Sequence, residues 1–453
     1  MMEEKVTYKK TLTLFQVVAL GLAWMSPMIY FTVYGLAYEG SKGMMTGSYS
    51  MAAATILLTA ISYIVMSKRF TSSASAYTYV KKAIHPYAGF LVGWVVLLEY
   101  IFSPVISCLT FGLYMHAQFP DIPASLWIIA INLIFAAVNI VGIRFSAGIS
   151  KIFVVVQILF IAVFCSYLLK GLAGGAAAVA VQPLLPQGDW GISTILTGAS
   201  LVCFSFLGFD TVTTLADETI NARKTIPRAI MLIVLIASVM YIVVSALTKL
   251  VFPSLVFSDA DAAGFELMKL VGGAGLQSIF ISVLILAVFT QGVIAVTSAS
   301  RLLHVMGTDS TLPKRFFGKL HAKYKTPVNS IAVVCIVSLL ALVLNLETAI
   351  KFVSLGALTA FVFVNGSVIV QLYVKEKKRS FKQTIVYLVI PLCGACFVGW
   401  LLTLLDRTAL YMGLCWLLIG VAYQLYRSRL TVTAILLRMG LEKSPSSVKR
   451  QRT

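Results

Sequence analysis

Two acids stand where acids are expensive. Asp210 sits in the apolar run Cys203-Phe-Ser-Phe-Leu-Gly-Phe-Asp-Thr211, and Glu99 sits in another, Val95-Val-Leu-Leu-Glu-Tyr-Ile101. In hydrocarbon a carboxylate near a helix centre costs about 2.5 to 3.5 kcal/mol by insertion scales, so a carboxyl kept there handles cations or protons by default. At helical spacing Glu99, Ser103, Ser107 and Thr110 share one face, a polar stripe in an otherwise apolar stretch. That stripe also fits a structural carboxylate bonded to hydroxyls of neighbouring helices. Two carboxyls sharing a water could in principle cleave a peptide. Gly208-Phe-Asp210 lacks the Gly-x-Gly-Asp form, however, and the second acid is a glutamate.

Other chemistries find less support. Cys393-Gly-Ala-Cys396 has CxxC spacing but lies in an apolar helix with no nearby histidine, which suits packing better than redox or metal work. His85, His116, His304 and His321 fall at segment ends or in loops without metal-ligand company, so no metal site is expected. No Gly-x-x-x-x-Gly-Lys-Ser/Thr stretch is present to cradle a nucleotide phosphate.

The elements around the two acids follow from composition. The 453 residues are 59% hydrophobic and 12% charged, with a mean hydropathy of +0.93, which no soluble surface of this size would tolerate. About twelve runs are long enough to cross a bilayer, near 12–37, 46–67, 86–115, 124–143, 149–170, 191–216, 228–252, 274–300, 327–345, 350–374, 384–404 and 408–427. Of the 36 Lys and Arg, all but Lys42, Lys170, Lys249, Lys269, Lys351 and Arg407 fall on one set of alternating segments. That asymmetry predicts a multi-pass protein of the cell membrane with both termini cytoplasmic. It also removes the reading of the +19 net charge as a nucleic-acid surface, because the basic residues do not form one patch.

Two runs should be broken. Pro27, in Gly21-Leu-Ala-Trp-Met-Ser-Pro27, removes a backbone donor, so the first helix should kink or unwind around Ala23 to Ser26. Phe206-Leu-Gly208 predicts a second break five spans later. Interrupted spans at matching places in two halves point to a solute site at the bilayer midplane, which makes 12–170 and 191–374 candidate inverted repeats. The expected organisation is a cytoplasmic segment 1–11, a membrane domain 12–427 whose last two helices (384–427) are peripheral, and a basic cytoplasmic tail 428–453. Gln157 is a lone polar residue in the fifth span and reads as packing. Gln291, beside Thr290 in the eighth, could reach the same cavity as the acids. The segment Asp217-Glu-Thr-Ile-Asn-Ala-Arg-Lys-Thr-Ile-Pro-Arg228 reads more simply as a solvated, helix-linking loop than as a gate.

With these residues goes a resemblance. Gly21-Leu-Ala-Trp-Met-Ser-Pro27, Ala74-Ser-Ala-Tyr77, Gly89-Phe-Leu-Val-Gly-Trp94, Cys203-Phe-Ser-Phe-Leu-Gly-Phe-Asp210, Asp217-Glu-Thr219, Ile226-Pro-Arg-Ala229 and Ser300-Arg-Leu-Leu-His-Val-Met-Gly307 together resemble the amino acid/polyamine/organocation (APC) superfamily of secondary transporters. Within it the chain is most similar to bacterial putrescine importers driven by the proton gradient. The resemblance implies an all-α, LeuT-like fold of about twelve helices, a five-plus-five inverted repeat, and a site between broken helices one and six. Amino acid permeases of this type often hold a substrate carboxylate with a Gly-Ser-Gly backbone. Here Ala23-Trp-Met-Ser-Pro27 is a poorer anion nest. Some relatives carry a coupling lysine in helix five, where this chain has Gln157.

The expected substrate is therefore an aliphatic diamine such as putrescine, its ammonium groups on Asp210 and Glu99, with the same two carboxyls exchanging protons. Trp24, Phe206 and Phe209 are expected to wall the methylene chain, adding cation–π attraction of about 0.5 to 2 kcal/mol, and Ser26 and Gln291 to complete the site. No cofactor is expected beyond the proton gradient, and no enzymatic activity. The alternatives are a permease or exchanger for cationic or neutral amino acids and, more remotely, a transporter-derived nutrient sensor.

Overall fold

The computed structural model describes residues 10–71, 75–173, 192–257, 263–405 and 407–438. The expected cytoplasmic N-terminus is covered only from residue 10, and the end of the basic tail, 439–453, lies outside the described residues, as does residue 191, the expected start of the second repeat. Among the described residues the chain is helical, and its single β-bridge joins Leu12 to Thr219.

Eleven helices are long and apolar enough to cross a bilayer: α1 (Leu14–Thr32), α2 (Met45–Arg69), α3 (Pro86–His116), α4 (Ala124–Val141), α5 (Ala147–Ala173), α6 (Ile192–Glu218), α7 (Ala222–Val251), α8 (Ala263–Thr308), α10 (Thr348–Lys375), α11 (Phe381–Thr403) and α12 (Arg407–Arg427). The ninth apolar run forms a shorter helix, α9 (Val328–Leu342), whose last four residues tighten into a 3-10 turn. At the usual rise per residue α9 reaches about 24 Å, short of a ~30 Å hydrocarbon core.

Helix starts follow local chemistry. Gln16 Oε1 accepts the Thr13 N–H at 3.0 Å and holds the first turn of α1. Pro86 opens α3 at a position where its missing donor is harmless, and Asn345 Oδ1 accepts the Thr348 N–H at 2.9 Å ahead of α10. Three boundaries differ from expectation. The seventh helix begins at Ala222, not 228, because Pro227 so near the start leaves only the Arg223 carbonyl without its helical donor, and that carbonyl lies at the exposed end. The eighth is continuous with a helix that starts at Ala263, turning at Gly273, whose φ of 66° breaks the helical path without ending it. The last helix runs on through Arg438, past the expected start of the tail at 428.

Burial sorts the helices. The most apolar stretch of α3 is 83% buried, whereas that of α12 is 17%, so α3 runs through the centre and α12 along the rim. α3 packs against α8 and α10; α2 packs against α6 and α7; α1 lies between α5, α7 and α8. The outer helices expose leucines such as Leu133, Leu392 and Leu418, a surface suited to lipid and unsuited to water. α12 is docked by a paired contact: Trp94 and Trp416 stack at 4.8 Å, and each indole N–H donates to the other's backbone carbonyl, at 2.9 and 2.7 Å.

Candidate functional site

The first break falls at Ser26. α1 is regular through Met25, and Ser26 turns to φ 49°, ψ 106°. Ala23, expected to unwind, stays within the helix; its carbonyl is the one that Pro27, lacking an N–H, cannot serve. The helix resumes at Ile29. The second break is longer. α6 passes from α-helix into a 3-10 turn at Cys203–Phe206, Leu207 is extended, Gly208 has φ 107°, and the chain continues as a 3-10 helix from Thr211 to Glu218. Breaks at this depth expose backbone carbonyls that something must satisfy. Tyr241 of α7 does so from between them, donating to the Ser205 carbonyl at 3.2 Å with the Ser26 carbonyl at 3.5 Å.

The breaks touch through Trp24 and Gly208. A Cβ added at Gly208 would lie 1.6 Å from Trp24 Cδ1, so glycine is required both by the positive φ and by the indole lying against the backbone. Trp24 in turn packs edge-on against Tyr100 of α3 at 5.5 Å, and Tyr100 donates its hydroxyl to Asp210 Oδ2 at 3.0 Å. Glu99 precedes Tyr100. Its side chain is fully buried, neither oxygen has a hydrogen-bond partner among the described residues, and Asp210 lies within electrostatic reach. Gly356 lets α10 approach: a Cβ there would come within 2.6 Å of the Glu99 nitrogen. The Ser103 hydroxyl, expected near the carboxyl, donates instead to the Glu99 backbone carbonyl at 2.7 Å.

The remaining expected residues divide. Ser26 donates to Gln157 Oε1 at 3.3 Å, and Gln157 Nε2 reaches Thr290 Oγ1 at 3.5 Å, so Gln157 ties the α1 break to α5 and α8 and does more than pack. Gln291 faces a small cavity of about 10 Å3 that it shares with Trp24, Ser103, Phe204 and Leu207. Phe206 and Phe209 lie elsewhere. Phe206 packs edge-on against Tyr241 at 5.3 Å, and Phe209 fits between Tyr63 at 5.4 Å and Phe361 at 5.2 Å. Phe204 and Leu207, not Phe206 and Phe209, line the cavity beside Trp24. Sequence reasoning missed Tyr100 and Tyr241. The available signal was a hydroxyl-bearing ring inside an apolar span, which when buried finds a partner.

Beyond Phe204 and Leu207 lies a larger cavity of about 590 Å3, lined also by Leu36, Cys203, Lys351 and Ser354. The two residues are thus a thin partition between it and the small cavity. At the opposite end of α6 the seal is thick. Glu218 and Arg301 form a buried ion pair at 2.5 Å, and Arg301 also donates to the Thr297 carbonyl at 3.1 Å. The Thr11 and Leu12 N–H groups bond the Glu218 carbonyl at 2.8 and 2.9 Å, laying the N-terminal segment over the pair. That cover corrects the reading of 217–228 as a solvated loop: Glu218 and Thr219 are buried, Ile220 and Asn221 are exposed, and from Ala222 the chain is already α7.

A bundle of about twelve apolar helices, two of them interrupted side by side and flanked by buried carboxyls, is a multi-pass membrane protein of the solute-carrier kind. The amino acid permease family model matches residues 15–432, and the chain belongs to that family, within the APC superfamily. It is a membrane transporter and not an enzyme. It is 38% identical to a low-affinity putrescine importer of Escherichia coli (strain K12), over 92% of this chain and 94% of the relative. It is 27% identical to a branched-chain amino acid permease of Bacillus subtilis (strain 168), over 92% and 93%. It is also 27% identical to human cationic amino acid transporter 4, over 78% of this chain and 58% of that protein.

Proposed function

We propose that the chain takes up a small aliphatic diamine, putrescine or close to it, across the cell membrane together with protons, at a site between the α1 and α6 breaks. The observation that carries this reading is the pair of fully buried carboxyls, Glu99 with no hydrogen-bond partner among the described residues and Asp210 held by Tyr100. At membrane depth an ionised carboxylate is costly, so a carboxyl kept there works with a proton or a cation. The two carboxyls fit the ends of a short diamine: one pairs with an ammonium while the other keeps its proton, so that the loaded site carries substrate and proton inward together. The relative named a putrescine importer supports the same chemistry.

Alternating access follows from the two closures. The Phe204–Leu207 partition opens first, toward the 590 Å3 cavity; the Glu218–Arg301 pair with its N-terminal cover opens second. In this proposal the Glu218 side is cytoplasmic, as the distribution of basic residues implies, and 12–170 and 191–374 move as inverted repeats. No cofactor takes part.

The test is uptake of labelled putrescine into proteoliposomes with and without an inward proton gradient, repeated for Asp210→Asn and Glu99→Gln. The gradient should accelerate uptake, and each substitution should abolish it. Uptake unchanged in both variants refutes the two-carboxyl site. The second reading, a cationic or neutral amino acid permease, draws on the relatives of that name. It requires that ornithine, lysine or a branched-chain amino acid compete better than putrescine.

A further inference from the structure

At the end of the bundle opposite the 590 Å3 cavity, a groove of about 610 Å3 opens between α2 and α7. Its lining is Lys68 on α2, Arg223, Lys224 and Arg228 on α7, and a floor of Ile64, Pro227 and Met231. All four basic side chains are exposed, and none makes an ion pair among the described residues. Four uncompensated cations around one hollow repel one another, and they repel a cationic substrate equally. The groove is therefore no branch of the transport path.

Its walls continue into the bilayer as apolar stripes. On α7, Lys224, Arg228, Met231, Leu235 and Val239 follow one another at three- and four-residue spacing along one partly exposed face. On α2, Lys68, Ile64, Ile61 and Leu57 do the same. Cations at the membrane surface thus lead directly to a hydrocarbon track between two helices. Basic pockets between spans are where anionic headgroups bind, each nearby Lys or Arg contributing on the order of 1 kcal/mol.

We propose that this groove holds an anionic glycerophospholipid of the membrane, its phosphate diester among Lys68, Arg223, Lys224 and Arg228 and an acyl chain along Ile64, Met231 and Leu235. The lipid bridges α2 to α7. Because it sits apart from Glu99 and Asp210, its presence or absence leaves the transport proposal untouched.

The test is native mass spectrometry of the full chain, purified in detergent and offered equal amounts of phosphatidylglycerol and phosphatidylcholine. The protein should retain phosphatidylglycerol preferentially. Changing Lys68, Arg223, Lys224 and Arg228 together to Gln should erase the preference. Changing four exposed lysines elsewhere, Lys314, Lys375, Lys377 and Lys382, should preserve it. Should the fourfold groove variant fail to purify as a single species, Arg228→Gln alone serves, with an expected drop in preference of about fivefold. Millimolar inorganic phosphate should not displace the lipid. The proposal is overturned by equal retention of both lipids, by an unchanged preference in the groove variants, by an equal loss in the control variant, or by displacement with phosphate alone.

Discussion

Tyr100 holds Asp210 through a single 3.0 Å hydrogen bond while its ring lies edge-on to Trp24, so one α3 side chain connects the α1 break to the α6 carboxyl. A hydrogen bond to a charged group contributes about 1.5 to 3 kcal/mol. Tyr100→Phe keeps the ring against Trp24 and removes the donor alone. The expected result is a rise in KM for uptake of about tenfold or more, with the variant still inserted and monodisperse. If Asp210 exchanges protons as proposed, the substitution should also shift the pH dependence of uptake, since that carboxyl loses its neighbour. A KM within twofold of the parent would show that Tyr100 only packs.

Gly208 is the position least able to change. Alanine there meets the Trp24 indole at 1.6 Å and must also adopt φ 107°, a region that costs a residue bearing a side chain about 1 to 3 kcal/mol. Gly208→Ala should lower the melting temperature and abolish uptake. Adding Trp24→Ala removes the collision but leaves the backbone strain, so stability should recover in part and uptake should not. Full thermal recovery in the double variant would assign the whole effect to packing.

The architecture was legible because periodicity and breaks are local. Pro27 and Gly208 mark interruptions by backbone chemistry alone, and apolar runs of twenty residues announce themselves. The two acids were legible for the same reason, as charge in the wrong solvent. What could not be read was rotation about the breaks. The 3-10 turn at Cys203–Phe206 and the turn at Leu207 and Gly208 together decide which of Phe204, Phe206, Leu207 and Phe209 lines the cavity beside Trp24, and a shift from 3.6 to 3.0 residues per turn moves each side chain within the 3-10 turn by tens of degrees. Long-range partners were equally hidden: nothing in 217–223 announces that Glu218 finds Arg301, 83 residues away, beneath a cover supplied by Thr11 and Leu12.

At the membrane surface Glu376, just beyond α10, joins Lys378 at 2.7 Å and Arg69 at the end of α2 at 3.0 Å. The Lys378 ammonium first, then Gln371 and Arg69, hold its carboxyl down from an ordinary 4.5 to about 2. A depressed carboxyl stabilises the fold fully above its ordinary value and loses that contribution as pH falls toward the lowered one. Glu376→Gln should therefore lower the melting temperature slightly at pH 7, by no more than about 1 kcal/mol in stability for so exposed a cluster. The difference should shrink below pH 4.5 and vanish near pH 2. A difference that grows on acidification would contradict the pairing.

The Glu218–Arg301 pair gives the sharpest separation of stability from transport. Both side chains are more than nine-tenths buried, so removing one partner strands the other charge, at a cost of about 3 to 5 kcal/mol. Arg301→Gln and Glu218→Gln should each destabilise strongly. The combined Glu218→Gln/Arg301→Gln variant carries no stranded charge and should regain most of the lost stability. If the pair seals the far end of the pathway, the combined variant should nonetheless transport abnormally, because opening there no longer requires separating an ion pair. Ser298 lies just beneath the seal, its hydroxyl accepting from Thr214 at 3.4 Å. A cysteine placed by Ser298→Cys should react with a membrane-impermeant thiol reagent from the Glu218 side several times faster in the combined variant than in the parent. Equal labelling in both would leave the pair a purely structural contact.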